Sequence, residues 1–203
     1  MENFWDKLMG TDEGAADYML SYGEGPGSDT RKVIGDFINE GESVLDVGCG
    51  PGWNFEHFRD FGPHVIYKGL DYSPRFVRVA NKRNPGIYEV GDARKLIQDD
   101  ESWDVVLLQD ILEHTNGYKD PIHEALRVAR KRVIISFWHL IDGDNEHIND
   151  DGDDGWGAWY DGTEFKKFLD TLDLHWLETS TQPGANREHK FFIIDKETPH
   201  GIR

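Results

Sequence analysis

A single cysteine, Cys49, stands in 203 residues. The chain therefore cannot close an internal disulfide, and a reducing compartment is the expectation. Basic residues are scarce too: 22 Lys and Arg face 39 Asp and Glu, for a net charge of −17. That balance repels phosphate backbones and anionic lipid, which disfavours a general nucleic-acid or membrane-surface binder. No run approaches the roughly 18 apolar residues of a membrane span. The opening Met1-Glu2-Asn3-Phe4 lacks the basic flank and apolar stretch of a signal peptide. These absences predict a cytoplasmic protein without a membrane partner. What is present suits a packed core: 37% hydrophobic and 12% aromatic residues exceed what a disordered chain carries. A chain of this length buries about 70% of its unfolded surface without staples. With no repeat and no linker in sight, one domain over residues 1–203 is expected, its oligomeric state open.

Short β-branched runs alternate with amphipathic segments, the pattern of an α/β fold with a mainly parallel sheet. Strands are predicted at residues 43–47, 65–70, 87–90, 105–108 and 133–137, with two later candidates at 174–179 and 190–194. The runs Val105-Val106-Leu107-Leu108 and Val133-Ile134-Ile135 are continuously apolar, as strands covered on both faces are. Helix signals fall between them. Asp29-Thr30 opens a segment in which Val33, Ile34, Phe37 and Ile38 recur at helical spacing, within an N-terminal helical cap over 1–41. Ser73 reads as an N-cap with Pro74 at the first helical position, and Asp120-Pro121 repeats the device. Asp161, with Glu164 three residues on, resembles a capping box.

One segment breaks the rhythm. Residues 142–165 hold nine carboxylates and no Lys or Arg, and enclose Trp156-Gly157-Ala158-Trp159-Tyr160. Connections this long are functional or disordered more often than not. Read from the sequence, its aromatics match neither helical nor strand periodicity. They either fold residues 142–161 over a crevice as a lid or anchor a long loop to the sheet edge. His139, Asp142, Asp144 and His147 are of metal-ligand type, but their spacing fits no closed metal motif, so no metal is expected.

The most informative stretch is Val44-Leu45-Asp46-Val47-Gly48-Cys49-Gly50-Pro51-Gly52, an apolar strand running into a glycine turn that opens a helix. Glycines there allow positive φ and let a ligand touch the backbone. The next strand delivers Asp71, 21 residues after Gly50, where a carboxylate can accept both hydroxyls of a ribose. The third strand ends in Gly91-Asp92-Ala93, so Asp46, Asp71 and Asp92 are expected to converge on one crevice at the carboxyl ends of the strands. A dinucleotide turn would want a third glycine where Trp53 stands, and a pyrophosphate would have to share the edge with Asp46. A ligand carrying a sulfonium and an ammonium instead gains from carboxylates. A structural turn with solvated acids is the bland alternative.

On these residues the chain resembles the class I, seven-stranded S-adenosylmethionine-dependent methyltransferases, well over about residues 43–137 and loosely at the ends. The resemblance implies a Rossmann-like three-layer sandwich with strand order 3-2-1-4-5-7-6, the last strand antiparallel, and S-adenosyl-L-methionine as cofactor. It sets Gly48, Gly50 and Gly52 of the first motif, with Cys49 between them, against the methionine part. Asp71 matches the ribose acid, and Tyr72 is placed to cover the adenine. Asp92-Ala93 matches the pair that reads the adenine edge. The run from Asp104 to His114 resembles the fourth-strand motif, with Gln109 at the cofactor-facing end. Tyr22 is the N-terminal residue best placed to close over the cofactor, and Arg31 could pair with its carboxylate. Trp53, where the family often has a small or aliphatic residue, is a departure.

Methyl transfer asks a protein mainly to align the acceptor with the methyl and to exclude water. A base is needed only for an acceptor that arrives protonated. His114 and His139 follow the fourth and fifth strands at that edge and are the candidates, each with the alternative of merely bonding loop backbone. Trp138, Trp156, Trp159 and Tyr160 are the candidate acceptor contacts. The end of the fourth strand reads Gln109-Asp110-Ile111-Leu112 instead of the Asn/Asp-Pro-Pro-Tyr/Phe segment of DNA amino-methyltransferases, and the only cysteine lies in the glycine turn. A small-molecule acceptor is therefore expected. A protein or RNA acceptor, a nicotinamide-dependent oxidoreductase and a non-catalytic cofactor-binding domain stay open.

Overall fold

The computed structural model describes residues 10–21, 25–141, 147–150, 156–182 and 188–197. Seven strands form the main sheet: β1 Ser43–Val47, β2 Ile66–Asp71, β3 Tyr88–Val90, β4 Trp103–Gln109, β5 Ala129–Phe137, β9 His175–Ser180 and β10 Lys190–Asp195. A second, three-stranded sheet is made by β6 Leu140–Ile141, β7 His147–Asp150 and β8 Trp156–Asp161. The helices are α1 Asp12–Ser21, α2 Asp29–Gly35, α3 Trp53–Asp60, α4 Pro74–Arg83, α5 Lys119–Val128 and α6 Gly162–Asp170, and a 3₁₀ turn spans Leu112–His114.

The main sheet runs β3-β2-β1-β4-β5-β10-β9. Its first five strands are parallel, and β10 is antiparallel to both neighbours. Counted within this sheet alone, the order is the 3-2-1-4-5-7-6 read from the sequence. Period-two alternation splits the central strands between two cores. Val44, Val105, Leu107, Ile134, Phe191 and Ile193 pack on one side with Ile34, Phe58, Val77 and Ala80. Leu45, Val106, Leu108, Ile135, Phe192 and Ile194 pack on the other with Ile122, Ala125, Phe165 and Leu169. The sheet is thus covered by α2, α3 and α4 on one face and by α5 and α6 on the other. That explains why Val105–Leu108 and Val133–Ile135 are continuously aliphatic.

Two local expectations change. Asp120 does not cap α5. The helix starts at Lys119 with Tyr118 in the capping position, leaving Pro121 in the first turn, where a missing N–H breaks no helical bond. The Tyr118 ring fixes this start, packing edge-on to Tyr160, Phe165 and Phe168. The aromatic segment is likewise not an irregular loop. Trp156–Asp161 pairs antiparallel with β7 and parallel with β6, and strand alternation accounts for it: Ala158 and Tyr160 are buried while Trp159 between them is exposed. The glycine-rich, acidic flanks hid that period.

Asp161 does cap α6. Its Oδ1 accepts the N–H groups of Thr163 at 2.7 Å and Glu164 at 3.1 Å, while the Glu164 carboxylate pairs with Lys167. Asp161→Ala is expected to lower unfolding free energy by about 1 kcal/mol in urea, and Asp161→Asn by much less. Equal losses would show that the carboxyl oxygen is not what starts this helix.

Candidate functional site

β1 ends in a turn whose three glycines have positive φ: +81° at Gly48, +54° at Gly50 and +90° at Gly52. Their tasks differ. A Cβ on Gly48 would lie 2.0 Å from Ile111 Cγ2, and one on Gly52 2.5 Å from the Tyr88 hydroxyl. Both positions make room for protein neighbours. Gly50 alone has nothing within 4 Å of where its Cβ would stand. Open space in front of backbone amides is where a ligand can approach. Gly52 also serves as the left-handed N-cap of α3, so the helix begins directly behind the turn.

Asp71, at the end of β2, ties this turn in place. One oxygen accepts the Gly50 N–H at 2.8 Å and the other the Ser73 N–H at 2.8 Å. Ser73 in turn caps α4 through Phe76 N–H. A carboxylate has acceptor capacity for about four hydrogen bonds, so Asp71 is of the type that can take ribose hydroxyls. Tyr72 beside it is half exposed and free to lie over a flat base. Gln109, at the end of β4, is 7% exposed, and its Oε1 has no hydrogen-bond partner among the described residues. A buried unpaired amide oxygen is expensive, so this atom is suited to a donor on a bound molecule.

Asp46 behaves differently from the expectation. It is 0% exposed and accepts hydrogen bonds from the Tyr67 hydroxyl and from Asn54 Nδ2. Burial pushes its carboxyl up to about 6, against the pull of Tyr67, Asn54 and the Arg31 charge. Oδ2 thus braces the turn from beneath while Oδ1 has no partner among the described residues, and Asp46 is the most deeply buried of the three acids Asp46, Asp71 and Asp92. Of those, Asp92 is engaged by Arg94 through Nε at 3.0 Å and Nη2 at 2.8 Å, which holds its carboxyl below the usual range. Ala93 packs against the core. Cys49 is buried, and desolvation with the Asp71 and Asp46 charges pushes its thiol well up, so it is no nucleophile.

Trp138 and His139 leave the end of β5, and the His139 ring meets Trp159 of β8. The His139 ring lies 5.6 Å from Trp138 and 4.9 Å from Trp159, and both indoles are part exposed. Tyr160 does not belong to this group. It is 1% exposed, its hydroxyl donates to the Thr115 carbonyl at 3.1 Å, and its ring packs on Tyr118; alternation along β8 turns it inward. His114 sits part-buried on the 3₁₀ turn, its N–H donating to the Ile111 carbonyl. Tyr22, Asp142 and Asp144 lie outside the described residues, as do the side chains of Trp156 and His147.

Two features carried no sequence signal of their own. His189, ahead of β10, sets Nε2 3.1 Å from Asp110 Oδ2, while Ser136 Oγ donates to Asp110 Oδ1 at 2.6 Å. Burial pushes the Asp110 carboxyl up, but His189, Ser136 and the Arg31 charge hold it below the usual range. Arg31 is 4% exposed and donates to the Gly25 carbonyl and Ser28 Oγ, so it is no solvent-facing helix residue. Glu113 is 1% exposed, and its Oε1 accepts the Trp138 N–H at 3.0 Å. Its position in the Asp104–His114 run was the one hint available.

The glycine turn, Asp71 and the sheet order have counterparts in known proteins. Residues 45–137 match the family model of a methyltransferase domain. Over those residues the chain is similar to that family, and the sheet order gives it a Rossmann-like fold. Demethylmenaquinone methyltransferase of Renibacterium salmoninarum is 34% identical over 115 residues, covering 54% of this chain and 48% of that protein. This chain therefore spans about half the length of that curated relative. Among solved structures, the complex of the Haloferax volcanii Trm112 methyltransferase activator with a putative methyltransferase matches at TM-score 0.73 and 17% identity, over 98% of this chain and 100% of that one. Phosphoethanolamine N-methyltransferase 2 of Haemonchus contortus, with phosphomonomethylethanolamine and S-adenosylhomocysteine, matches at TM-score 0.72 and 16% identity, over 95% and 59%. The Haemonchus enzyme is also known in complex with S-adenosyl-L-methionine. The open space before Gly50 and the unpaired Gln109 oxygen fit the hydroxyl and ammonium groups of such a ligand. Among the described residues, no helix is long and apolar enough to cross a membrane.

The Asp46 carboxyl titrates near 6 in the fold against 3.8 when free. A raised value means that its contribution is complete below about pH 3.8 and lost as pH climbs through 6, by about 3 kcal/mol in all. Relative to Asp46→Asn, wild-type stability is expected to fall across that window in urea titrations. A constant difference between the two would show that Asp46 is not desolvated.

Proposed function

We propose that the protein transfers a methyl group from S-adenosylmethionine to a small-molecule acceptor. The observation that carries this reading is the cradle formed by the Gly50 amide and the Asp71 carboxylate beside open space. Bound there, the cofactor supplies an activated methyl on a sulfonium, so the protein's own share is to bind, orient and keep out water. Asp71 would accept the ribose hydroxyls, Tyr72 would cover the base, and Asp92 with Ala93 would border its edge. Gln109 would accept from the ammonium end.

The acceptor would enter over the β5 and β8 ends, against Trp138, His139 and Trp159. Exposed indoles beside an acidic segment suit a flat or cationic acceptor. The charge of −17 disfavours a polyanion, and the names of demethylmenaquinone methyltransferase and phosphoethanolamine N-methyltransferase point to small molecules. His139 is the candidate for taking up a proton from the acceptor, its ring lying between those of Trp138 and Trp159.

Labelled methyl transfer from S-adenosylmethionine to a panel of amines, quinols, phenols and carboxylates tests this. Wild type is expected to label one class. Asp71→Ala is expected to weaken S-adenosylhomocysteine binding by roughly tenfold or more, the equivalent of losing hydrogen bonds to a charged group. Trp159→Ala is expected to raise the acceptor KM while leaving S-adenosylhomocysteine affinity unchanged. Undiminished cofactor binding by Asp71→Ala would overturn the cradle, and no labelling of any class would overturn the transfer reading.

A further inference from the structure

Glu113 is a buried carboxyl with nothing to neutralise it. Among the described residues no Lys, Arg or His forms an ion pair with it, and its Oε2 has no hydrogen-bond partner. The nearest charge is the like-signed Asp110 at the end of β4. A carboxylate in such a place would bear the full penalty of desolvation, so the neutral acid is the form the fold can hold. Burial first, then the Asp110 charge, push its carboxyl well above the usual range, consistent with that form.

Its carboxyl takes hydrogen bonds from backbone N–H groups, its own and those of Trp138 and His139 at the β5 exit, which favour the ionised form but do not offset the burial. Oε1 accepts the N–H of Trp138, the first residue beyond β5. From there the chain continues through His139 into β6, which pairs with β8 and so with Trp159. The 3₁₀ turn bearing Glu113 is itself held against β8 by the Tyr160 hydroxyl on the Thr115 carbonyl. One carboxyl oxygen therefore fixes the exit angle of the strand that presents the Trp138, His139 and Trp159 rings.

We propose that Glu113 is a positioning residue for the acceptor site, an uncharged buried carboxyl that fastens the β5 exit and so sets the Trp138–His139–Trp159 stack at the sheet rim. This rests on the reading that the acceptor enters over that rim. Other ionisable groups on the elements around it are accounted for. Asp110 is occupied by His189 and Ser136, and Asp161 of β8 caps α6. His114 shares its turn, His139 follows the amide it binds, and Tyr160 donates to Thr115.

The experiment compares wild type, Glu113→Gln and Glu113→Ala without needing the acceptor. Thermal unfolding is followed between about pH 5 and pH 8. A neutral buried acid has its folded value raised above its free one, so it loses stability as pH rises while glutamine does not. Glu113→Gln is expected to gain on wild type by roughly 3 °C across that range. Subtracting the two also removes the Asp46 contribution, which both proteins share. Backbone amide exchange by NMR, with S-adenosylhomocysteine bound, gives the second readout. Exchange at Trp138 is expected to quicken roughly tenfold in Glu113→Ala, matching one lost hydrogen bond, and to be restored in Glu113→Gln.

A stability gap that is flat with pH, or that reverses sign, would overturn the neutral carboxyl. Unchanged Trp138 exchange in Glu113→Ala would overturn the fastening. If Glu113→Ala does not fold, the pH profile of Glu113→Gln and its Trp138 exchange decide alone. These results are independent of whether Trp159→Ala changes the acceptor KM, so a wrong acceptor rim and a wrong role for Glu113 fail separately.

Discussion

Everything at the carboxyl edge of this sheet is organised by one carboxylate bridging two backbone amides. Asp71 holds Gly50 with one oxygen and Ser73 with the other, both at 2.8 Å. The turn after β1 and the turn after β2 are thereby locked to each other. α3 begins immediately after the first and α4 immediately after the second, so the lock also fixes two helix N-termini. Because Gly50 must show its amide to Asp71 and leave its other side open, the residue there has to be small and left-handed. The cradle's shape is thus a consequence of hydrogen bonding within the protein, already present before any ligand arrives.

Around that lock, polar groups are buried in graded fashion. Asp46 lies under the turn, shared between Tyr67 and Asn54. Asp110, His189 and Ser136 form a connected set where β4, β5 and β10 end. Glu113 stands apart, with one oxygen used and one not. Buried networks of this kind specify geometry when satisfied and are costly when they are not. Each unpaired oxygen near the rim, on Gln109 and on Glu113, is therefore a point where ligand binding or protonation has to complete the structure.

Much of the fold could be read from residue patterns because the sheet is covered on both faces. Continuous runs such as Val105–Leu108 have no other home, and Ser73-Pro74 opens its helix where the pair of residues says it should. The glycine turn and Asp71 were legible for the same reason, since their chemistry is local to the chain. What escaped was set by tertiary packing. Tyr118, not Asp120, starts α5 because an aromatic cluster seats its ring. Tyr160 looked like a loop aromatic because glycines and carboxylates flank a strand whose alternation is short. Asp46 has the right spacing to face a ligand, and only its burial shows that it supports the turn from below. His189 gave no signal, being a lone histidine whose partner lies on another strand.

The family resemblance stands on the same residues, with the glycines redistributed in role: Gly48 and Gly52 admit Ile111 and Tyr88, and only Gly50 faces the open cradle. The central claim is that this cradle holds the adenosyl moiety of a sulfonium cofactor and not a dinucleotide. Isothermal titration of the native protein with S-adenosylmethionine and, separately, with NAD tests it most directly. Saturable binding of S-adenosylmethionine at one site, with no heat from NAD, is the predicted result. Binding of NAD in its place, or of neither, would contradict the account.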